Sequence, residues 1–185
     1  MEQFDGPTMS SDQLEQPTET PRIFLSLGSN LGSRFRHISD AIRRMRDKGL
    51  LIDQRSSLYE TQPVEVSGQP DFINMNCEIK TSLEAEQLLQ MCLDIERTMG
   101  RVRAKPKGPR TIDIDILFYG QRILQTDLLS IPHPAVARRR FVLIPMVEIA
   151  PEFRDPISGL TMREVLVKCP DPSAVRVLSS FDFGL

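Results

Sequence analysis

Two carboxylates lie at strand spacing in the stretch GPRTIDIDILFYG, residues 108–120. The apolar residues of this stretch predict a strand, in which residues two apart point to the same side. Asp113 and Asp115 therefore share one face, roughly 6–7 Å apart. Two like charges at this distance repel, which raises a carboxyl pKa unless a cation intervenes. Three arrangements remain open from the strand alone: exposure to water, neutralisation by arginine, or binding of a divalent ion such as Mg²⁺.

Two clusters of basic residues favour the metal arrangement. One cluster precedes the carboxylates, and the other follows them on a Pro-flanked segment. Metal-bound polyphosphates are typically held this way, because carboxylates bind the ion and arginines bind the remaining phosphate charge. The basic residues are Arg101, Arg103, Lys105, Lys107 and Arg110 in the first cluster, and Arg138, Arg139 and Arg140 in the second.

Three further stretches carry weaker signals. LGSNLG at 27–32 has the glycines of a strand-to-helix turn but lacks the lysine and spacing of a P-loop, which favours a helix start. His133 lies between two prolines and is compatible with an ordinary loop residue or with a functional one. Phe72 and Asn74 share one strand face, which fits either a site for a flat polar heterocycle or packing beneath C-terminal helices.

The elements that position these residues follow the order β-α-β-β-α-β. This order predicts an α+β fold with a ferredoxin-like core, an antiparallel sheet, two helices on one face and extra C-terminal helices on the second face. The predicted strands are 22–28, 50–60, 72–81 and the stretch after 110. Pro145 is expected to interrupt or start a helix, and a short helix is expected near 161–168.

Apolar periodicity defines the buried faces. The first helix carries a stripe at helical spacing and is expected to end at Gly49, while the second is expected to run from Ser82 as N-cap to Gly100. The stripes are Phe35, Ile38, Ile42 and Met45, and Leu88, Cys92, Ile95 and Met99. The buried strand faces are Ile73, Met75, Cys77 and Ile79, and Ile112, Ile114, Ile116 and Phe118.

Composition sets the broad class. The chain has 185 residues and a net charge of −2, which suits one core and not a globally basic nucleic-acid binder. No apolar run is long enough to cross a bilayer, and the acidic, polar N-terminus is not a signal peptide, so a cytoplasmic location is expected. Three cysteines without metal spacing are expected to be reduced. We expect a disordered tail at 1–21, a domain at 22–170 and a C-terminal tail at 171–185.

Several motifs together resemble the 6-hydroxymethyl-7,8-dihydropterin pyrophosphokinase family of folate biosynthesis. The resemblance covers about residues 22–168, and its most specific block is GPRTIDIDIL. The other motifs are LSLGSNLG, YETQPV, QPDFINMNCEIKT, IERTMGRVR, IPHP and RRFVLIPMVEIAPEF. The family transfers pyrophosphate from ATP to the pterin hydroxymethyl group and releases AMP.

The resemblance implies a role for each matching residue. Asp113 and Asp115 would bind two Mg²⁺ ions, and Arg101 and Arg110 would hold phosphate and assist transfer. The expected partners are the small-molecule substrates, and neither nucleic acid nor a membrane is expected. The implied ATP contacts are Leu89, Arg103, Ile116, Leu129, Ser130, His133 and Arg139. The implied pterin contacts are Gly28, Thr61, Val64, Phe72, Asn74 and Phe141.

Three positions depart from familiar members of the family. Lys107 replaces a Trp in a loop that is one residue shorter, Pro134 replaces a Tyr near ATP, and Leu128 stands where some members have Arg. A loop aromatic and one phosphate contact are therefore missing or supplied elsewhere.

Two competing functions remain from the residues alone. An RNA-binding module shares the element order and would explain the arginines, but it lacks an aromatic-rich RNA-binding strand, and paired aspartates would repel phosphate without metal. A metal-dependent phosphoryl transferase with another acceptor uses the same parts, and only the family resemblance separates it from the pyrophosphokinase.

Overall fold

The predicted β-α-β-β-α-β order is present, with its second strand divided in two, in the computed structural model, which describes residues 20–63, 68–101 and 108–178. The main sheet has the antiparallel order β5-β1-β4-β3-β8, with β2 also paired to β4. The strands are β1 (Ile23–Ser29), β2 (Leu51–Arg55), β3 (Leu58–Thr61), β4 (Phe72–Lys80), β5 (Asp113–Tyr119), β6 (Leu124–Gln125), β7 (Ser130–Ile131) and β8 (Val175–Leu178). The helices are α1 (Arg34–Asp47), α2 (Ala85–Thr98), α3 (Arg140–Ile149) and α4 (Met162–Val167), with a 3-10 turn at Val136–Arg138.

Helices α1 and α2 cover one face of the sheet, as their periodicity predicts. Both stripes belong to one buried cluster with the apolar face of β4, and Phe35 and Met99 pack against it partly buried. Gly49 and Gly100 adopt φ of +88° and +81° just after the two helices, which confirms both as C-terminal stops. Ser82 is not the N-cap of α2, because Glu84 and Gln87 form a reciprocal capping box that starts the helix at Ala85.

The second face is covered by α3 and α4. Its core includes a cluster of Phe24, Phe118 and Phe153, in which Phe153 lies 4.9 Å and 5.0 Å from the other two ring centroids. The polar face of β4 is buried here: the Asn76 amide donates to the Val142 carbonyl at 2.9 Å. The predicted helical layer on the second face is therefore confirmed.

Pro145 does not interrupt α3, contrary to expectation. A proline inside a helix costs about 3 kcal/mol or more, because it removes one backbone hydrogen bond and crowds the preceding turn. Contacts at both ends hold α3 despite this cost. Asn76 binds the Val142 carbonyl near its start, and Glu148 near its end accepts hydrogen bonds from Tyr59 Oη and from the Ser57 amide.

Two further strand predictions need correction. The predicted strand 50–60 is divided into β2 and β3, because Ser56 pairs with Asn76 while the Ser57 amide turns to Glu148. On β5 the pairing register shifts between Phe24↔Phe118 and Leu25↔Ile116, so Leu117 is an extra residue. This bulge moves Phe118 to the face that packs on α3. Phe118 is therefore separated from Ile112, Ile114 and Ile116, with which the alternation predicts a shared face.

The structure tests the predictions made for the C-terminal tail and for the cysteines. Residues 175–178, assigned by sequence to a tail, form β8 and pair with β3. Cys77 and Cys92 are free and buried, and burial raises the pKa of both thiols, that of Cys77 to about 12. Among the described residues no helix has the length and apolarity that a bilayer crossing requires.

Candidate active site

A cavity of about 730 Å³ opens at one end of the sheet. Its walls come from β1, β3, β4, α2, β5, the segment after β6 and the start of α3. The cavity brings together every predicted site residue within the described ranges, whereas Val64 and Arg103 lie outside them, as does Lys107. The predicted residues that line it are Gly28, Thr61, Phe72, Asn74, Leu89, Arg101, Arg110, Asp113, Asp115, Ile116, Leu129, Ser130, His133, Arg139 and Phe141.

The two aspartates lie side by side on β5, opposite Gly28 and Ser26 of β1. Asp113 is paired with arginine: Arg101 hydrogen-bonds its Oδ1, and Arg110 Nε lies 3.2 Å from its Oδ2. For Asp115, burial and then the charge of Asp113 raise the pKa of the carboxyl to about 7. Arginine therefore neutralises the first carboxylate, while the second is left with a disfavoured charge.

Glu96 is a central residue that the sequence analysis missed. Its side chain is 3% exposed and accepts hydrogen bonds from the Ile114 backbone amide, at 2.8 Å, and from the Arg101 guanidinium. Glu96 thereby joins α2, the basic loop and the strand that carries both aspartates. The available signal was its position four residues after Cys92 and seven after Leu89, which places it on the flank of the buried stripe.

The LGSNLG turn connects β1 to α1, as its helix-start interpretation suggested, and also fixes two loops. The buried Asn30 accepts the Arg110 amide hydrogen at 2.8 Å and donates to Gln69 Oε1 at 3.0 Å and to the Pro70 carbonyl. The backbone amide of Asn30 donates to the Arg110 carbonyl at 3.2 Å. Asn30 thus holds the end of the basic loop beside the segment that leads into β4.

Two aromatic rings also line the cavity, each beside an arginine. The Arg110 guanidinium lies 5.3 Å from the centroid of Phe72, and that of Arg139 lies 5.7 Å from the centroid of Phe141. Beside Phe72, the Asn74 amide donates to Thr61 Oγ1 at 2.7 Å. Rings combined with a few fixed polar groups are typical of a site for a flat polar heterocycle.

Histidine and a short turn complete the wall. His133 Nδ1 accepts the Ala135 amide hydrogen at 3.2 Å, so the ring proton lies on Nε2. Burial and the nearby Arg139 lower the pKa of His133, which keeps the ring neutral near pH 7. Leu128 and Pro134, two of the departures from the family pattern, also line the cavity.

The donor set fits Mg²⁺ bound together with phosphate. Within the described residues, no three acidic, histidine or cysteine side chains form a metal-binding group. Mg²⁺ commonly takes one or two carboxylates and completes its octahedron with phosphate oxygens and water. The disfavoured charge on Asp115 would be offset by such a cation.

Comparisons with known proteins give a consistent result. A family model described as "7,8-dihydro-6-hydroxymethylpterin-pyrophosphokinase (HPPK)" matches residues 24–151. "Folic acid synthesis protein fol1" of Pneumocystis carinii is 42% identical over 164 residues, which are 89% of this chain and 22% of that protein. "Folate synthesis bifunctional protein, mitochondrial" of Pisum sativum is 37% identical over 142 residues, which are 77% of this chain and 28% of that protein.

The crystal structure of Plasmodium falciparum HPPK-DHPS wild type with pteroate has a TM-score of 0.64 to this chain, at 18% identity. The match covers 80% of this chain and 42% of that one. At this identity the likeness shows the fold alone. The chain spans about a quarter of the length of the curated relatives it matches.

Proposed function

Because the chain belongs to the 7,8-dihydro-6-hydroxymethylpterin-pyrophosphokinase family, we propose that it transfers pyrophosphate from ATP to 6-hydroxymethyl-7,8-dihydropterin, in folate biosynthesis. The observation that carries this proposal is that one cavity combines two groups of side chains. One group consists of paired carboxylates and arginines, and the other consists of two rings with an amide–hydroxyl pair. The first group suits a metal-bound triphosphate and the second suits a pterin ring.

The proposed roles divide between these two groups of side chains. Asp113 and Asp115 would hold two Mg²⁺ ions, which when bound neutralise phosphate charge. Arg101, Arg110 and Arg139 would bind phosphate oxygens, and His133 Nε2 would donate a hydrogen bond to them. Leu89, Ile116, Leu129 and Ser130 would contact the nucleotide, with Arg103 as a further proposed contact. Val64 would line the pterin pocket.

On the acceptor side, the rings of Phe72 and Phe141 would stack on the pterin. Asn74 and Thr61 would hydrogen-bond its edge, while Gly28 leaves room for the Asn74 side chain. Holding the acceptor hydroxyl close to the triphosphate supplies the orientation on which the transfer depends. A cytoplasmic location is also part of this proposal.

The RNA-binding alternative requires an open sheet face on which bases can stack. Here the face opposite α1 and α2 lies under α3 and α4, and Phe24, Phe118 and Asn76 are fully buried. This burial favours the transferase over the RNA-binding module.

Product analysis tests the proposed reaction. Purified protein given ATP, MgCl₂ and 6-hydroxymethyl-7,8-dihydropterin is expected to form AMP and pterin diphosphate in equal amounts, measured by anion-exchange chromatography. Reactions without pterin, or with EDTA, serve as controls and are expected to form neither. ADP as the nucleotide product, or AMP formed independently of the pterin, would contradict the proposal.

Gly28→Ala is expected to weaken acceptor binding selectively. A Cβ at this position would lie 2.8 Å from Asn74 Oδ1, so the Asn74 side chain must move and its bond to Thr61 is strained. We expect KM for the pterin to rise about tenfold, the cost of roughly one hydrogen bond, with KM for ATP within about twofold. If Asn74 transmits the effect, Gly28→Ala adds little in an Asn74→Ala background. Equal losses in both backgrounds would show that Asn74 is not involved.

A further inference from the structure

Arg34 occupies an unfavourable position for a cation. It is the first residue of α1, whose first turn contains no acidic side chain. Because the helix N-terminus carries partial positive charge, a cation there is disfavoured. The side chain is 29% exposed, so solvent does not remove this penalty entirely. A residue that breaks a local preference calls for a compensating contact elsewhere.

The compensating contacts of Arg34 are with two residues that directly precede residues of the cavity wall in the chain. One nitrogen of the guanidinium donates to the Asp71 carbonyl at 2.6 Å, and another donates to Glu60 Oε1 at 3.2 Å. Asp71 immediately precedes Phe72 at the start of β4. The planar fork of arginine therefore ties the backbone entering β4 to a carboxylate on β3.

Glu60 extends this connection to the C-terminal strand. Its Oε2 accepts a hydrogen bond from Arg176 on β8, and its side chain is only 16% exposed. Arg176 and Arg34 hold the pKa of Glu60 below its ordinary value, so it stays ionised at neutral pH. We call Arg34, Glu60 and Arg176 the rear ion network.

The strands joined by this network meet at residues of the cavity wall. Thr61, the neighbour of Glu60, is paired with Phe72 on β4 and with Val175 on β8. Thr61 and Phe72 line the cavity, whereas Arg34, Glu60 and Arg176 do not. The network thus lies one residue away from two proposed acceptor contacts without reaching the acceptor.

We propose that the rear ion network positions Phe72 and Thr61 and thereby sets the affinity for the flat acceptor, an inference that rests on the proposed function. Arg34 is the main positioning residue, because it alone in the network bonds both the β3 carboxylate and the backbone before Phe72. The C-terminal strand takes part through Arg176, although it lies outside the range matched by the family model.

Steady-state kinetics with both substrates tests this role. Arg34→Gln is expected to raise KM for the pterin about tenfold, with kcat and KM for ATP changed by less than about twofold. Arg176→Ala is expected to raise the same constant about threefold, because exposed ion pairs are weaker. Arg34→Lys is expected to recover part of the loss. In a Glu60→Gln background, Arg34→Gln should have a smaller effect than in wild type.

Arg36→Gln is the matched control, since Arg36 lies on the same helix, its side chain is 82% exposed and its ion pair with Asp40 is local. It is expected to leave every kinetic constant unchanged. Equal increases in both KM values, or an equal effect of Arg36→Gln, would overturn the proposal.

A second measurement does not depend on activity. Amide hydrogen exchange across residues 68–73 is expected to be faster in Arg34→Gln than in wild type or Arg36→Gln. Unchanged exchange there would also overturn the positioning role. If wild type forms no AMP, the proposed function fails, while the exchange measurement still decides whether the network orders this segment.

Discussion

Asp113→Asn and Asp115→Asn are each expected to lower kcat at least about a hundredfold, because asparagine keeps the shape but loses the charge proposed to bind metal, and with it several kcal/mol of phosphate-charge stabilisation. AMP formation at saturating Mg²⁺ is the measurement. Asp127→Asn is a matched control, since Asp127 lies at the cavity margin but does not share the strand face. Near-normal turnover by either β5 variant would remove the metal-binding assignment.

The same two variants are expected to differ in stability. Asp115 has a pKa raised to about 7 in the fold, against about 4 for an ordinary aspartate. The folded state therefore binds the extra proton between these values, and its stability falls as the pH rises through this window. Asp115→Asn removes that loss, whereas Asp113→Asn removes ion pairs with Arg101 and Arg110.

Thermal unfolding with EDTA measures this difference. The melting temperature of Asp115→Asn relative to wild type is expected to rise between pH 5 and pH 8. Asp113→Asn is expected to show no such gain. A relative melting temperature of Asp115→Asn that is independent of pH would contradict the raised pKa.

Arg101→Ala is expected to lose both activity and stability. Arg101 lies between the buried Glu96 and Asp113 and is itself 13% exposed. Removing one partner of a buried ion pair costs about 3–5 kcal/mol, because the other charge remains without its counter-ion. Loss of the phosphate contact proposed for Arg101 is expected to lower kcat about a hundredfold or more.

The double variant Arg101→Ala/Glu96→Gln separates these two effects. It removes the uncompensated charge, so most of the unfolding free energy measured in urea is expected to return, while kcat stays low. Recovery of kcat together with stability would mean that Arg101 acts only through folding.

Regular periodicity explains why so much of the fold could be predicted from sequence. The stripes of α1 and α2 and the alternation of β4 report burial directly, because a residue's spacing decides which face it occupies. The same rule found Asp113 and Asp115. It failed at Leu117, since a bulge adds one residue and reverses the alternation after it. No residue type at this position indicates a bulge.

Other features depended on contacts between distant segments. Glu148 reaches Ser57 from α3 and divides the predicted strand, and β8 joins the sheet only because β3 offers a partner. Glu96 resembles a surface helix residue until its bond to the Ile114 amide is seen. Such pairings are set by tertiary structure, which overrides local propensity.

The contact between Glu96 and Ile114 also affects the tendency of this protein to associate with other chains through its sheet edge. β5 lies at one end of the main sheet, where unpaired backbone groups can recruit a strand from another chain. On this strand the Ile114 donor is occupied by Glu96, and the Leu117 carbonyl accepts the His133 amide hydrogen. Residues that shape the site thus also shield a sheet edge, so a variant that loses Glu96 would expose a backbone donor to edge-to-edge aggregation.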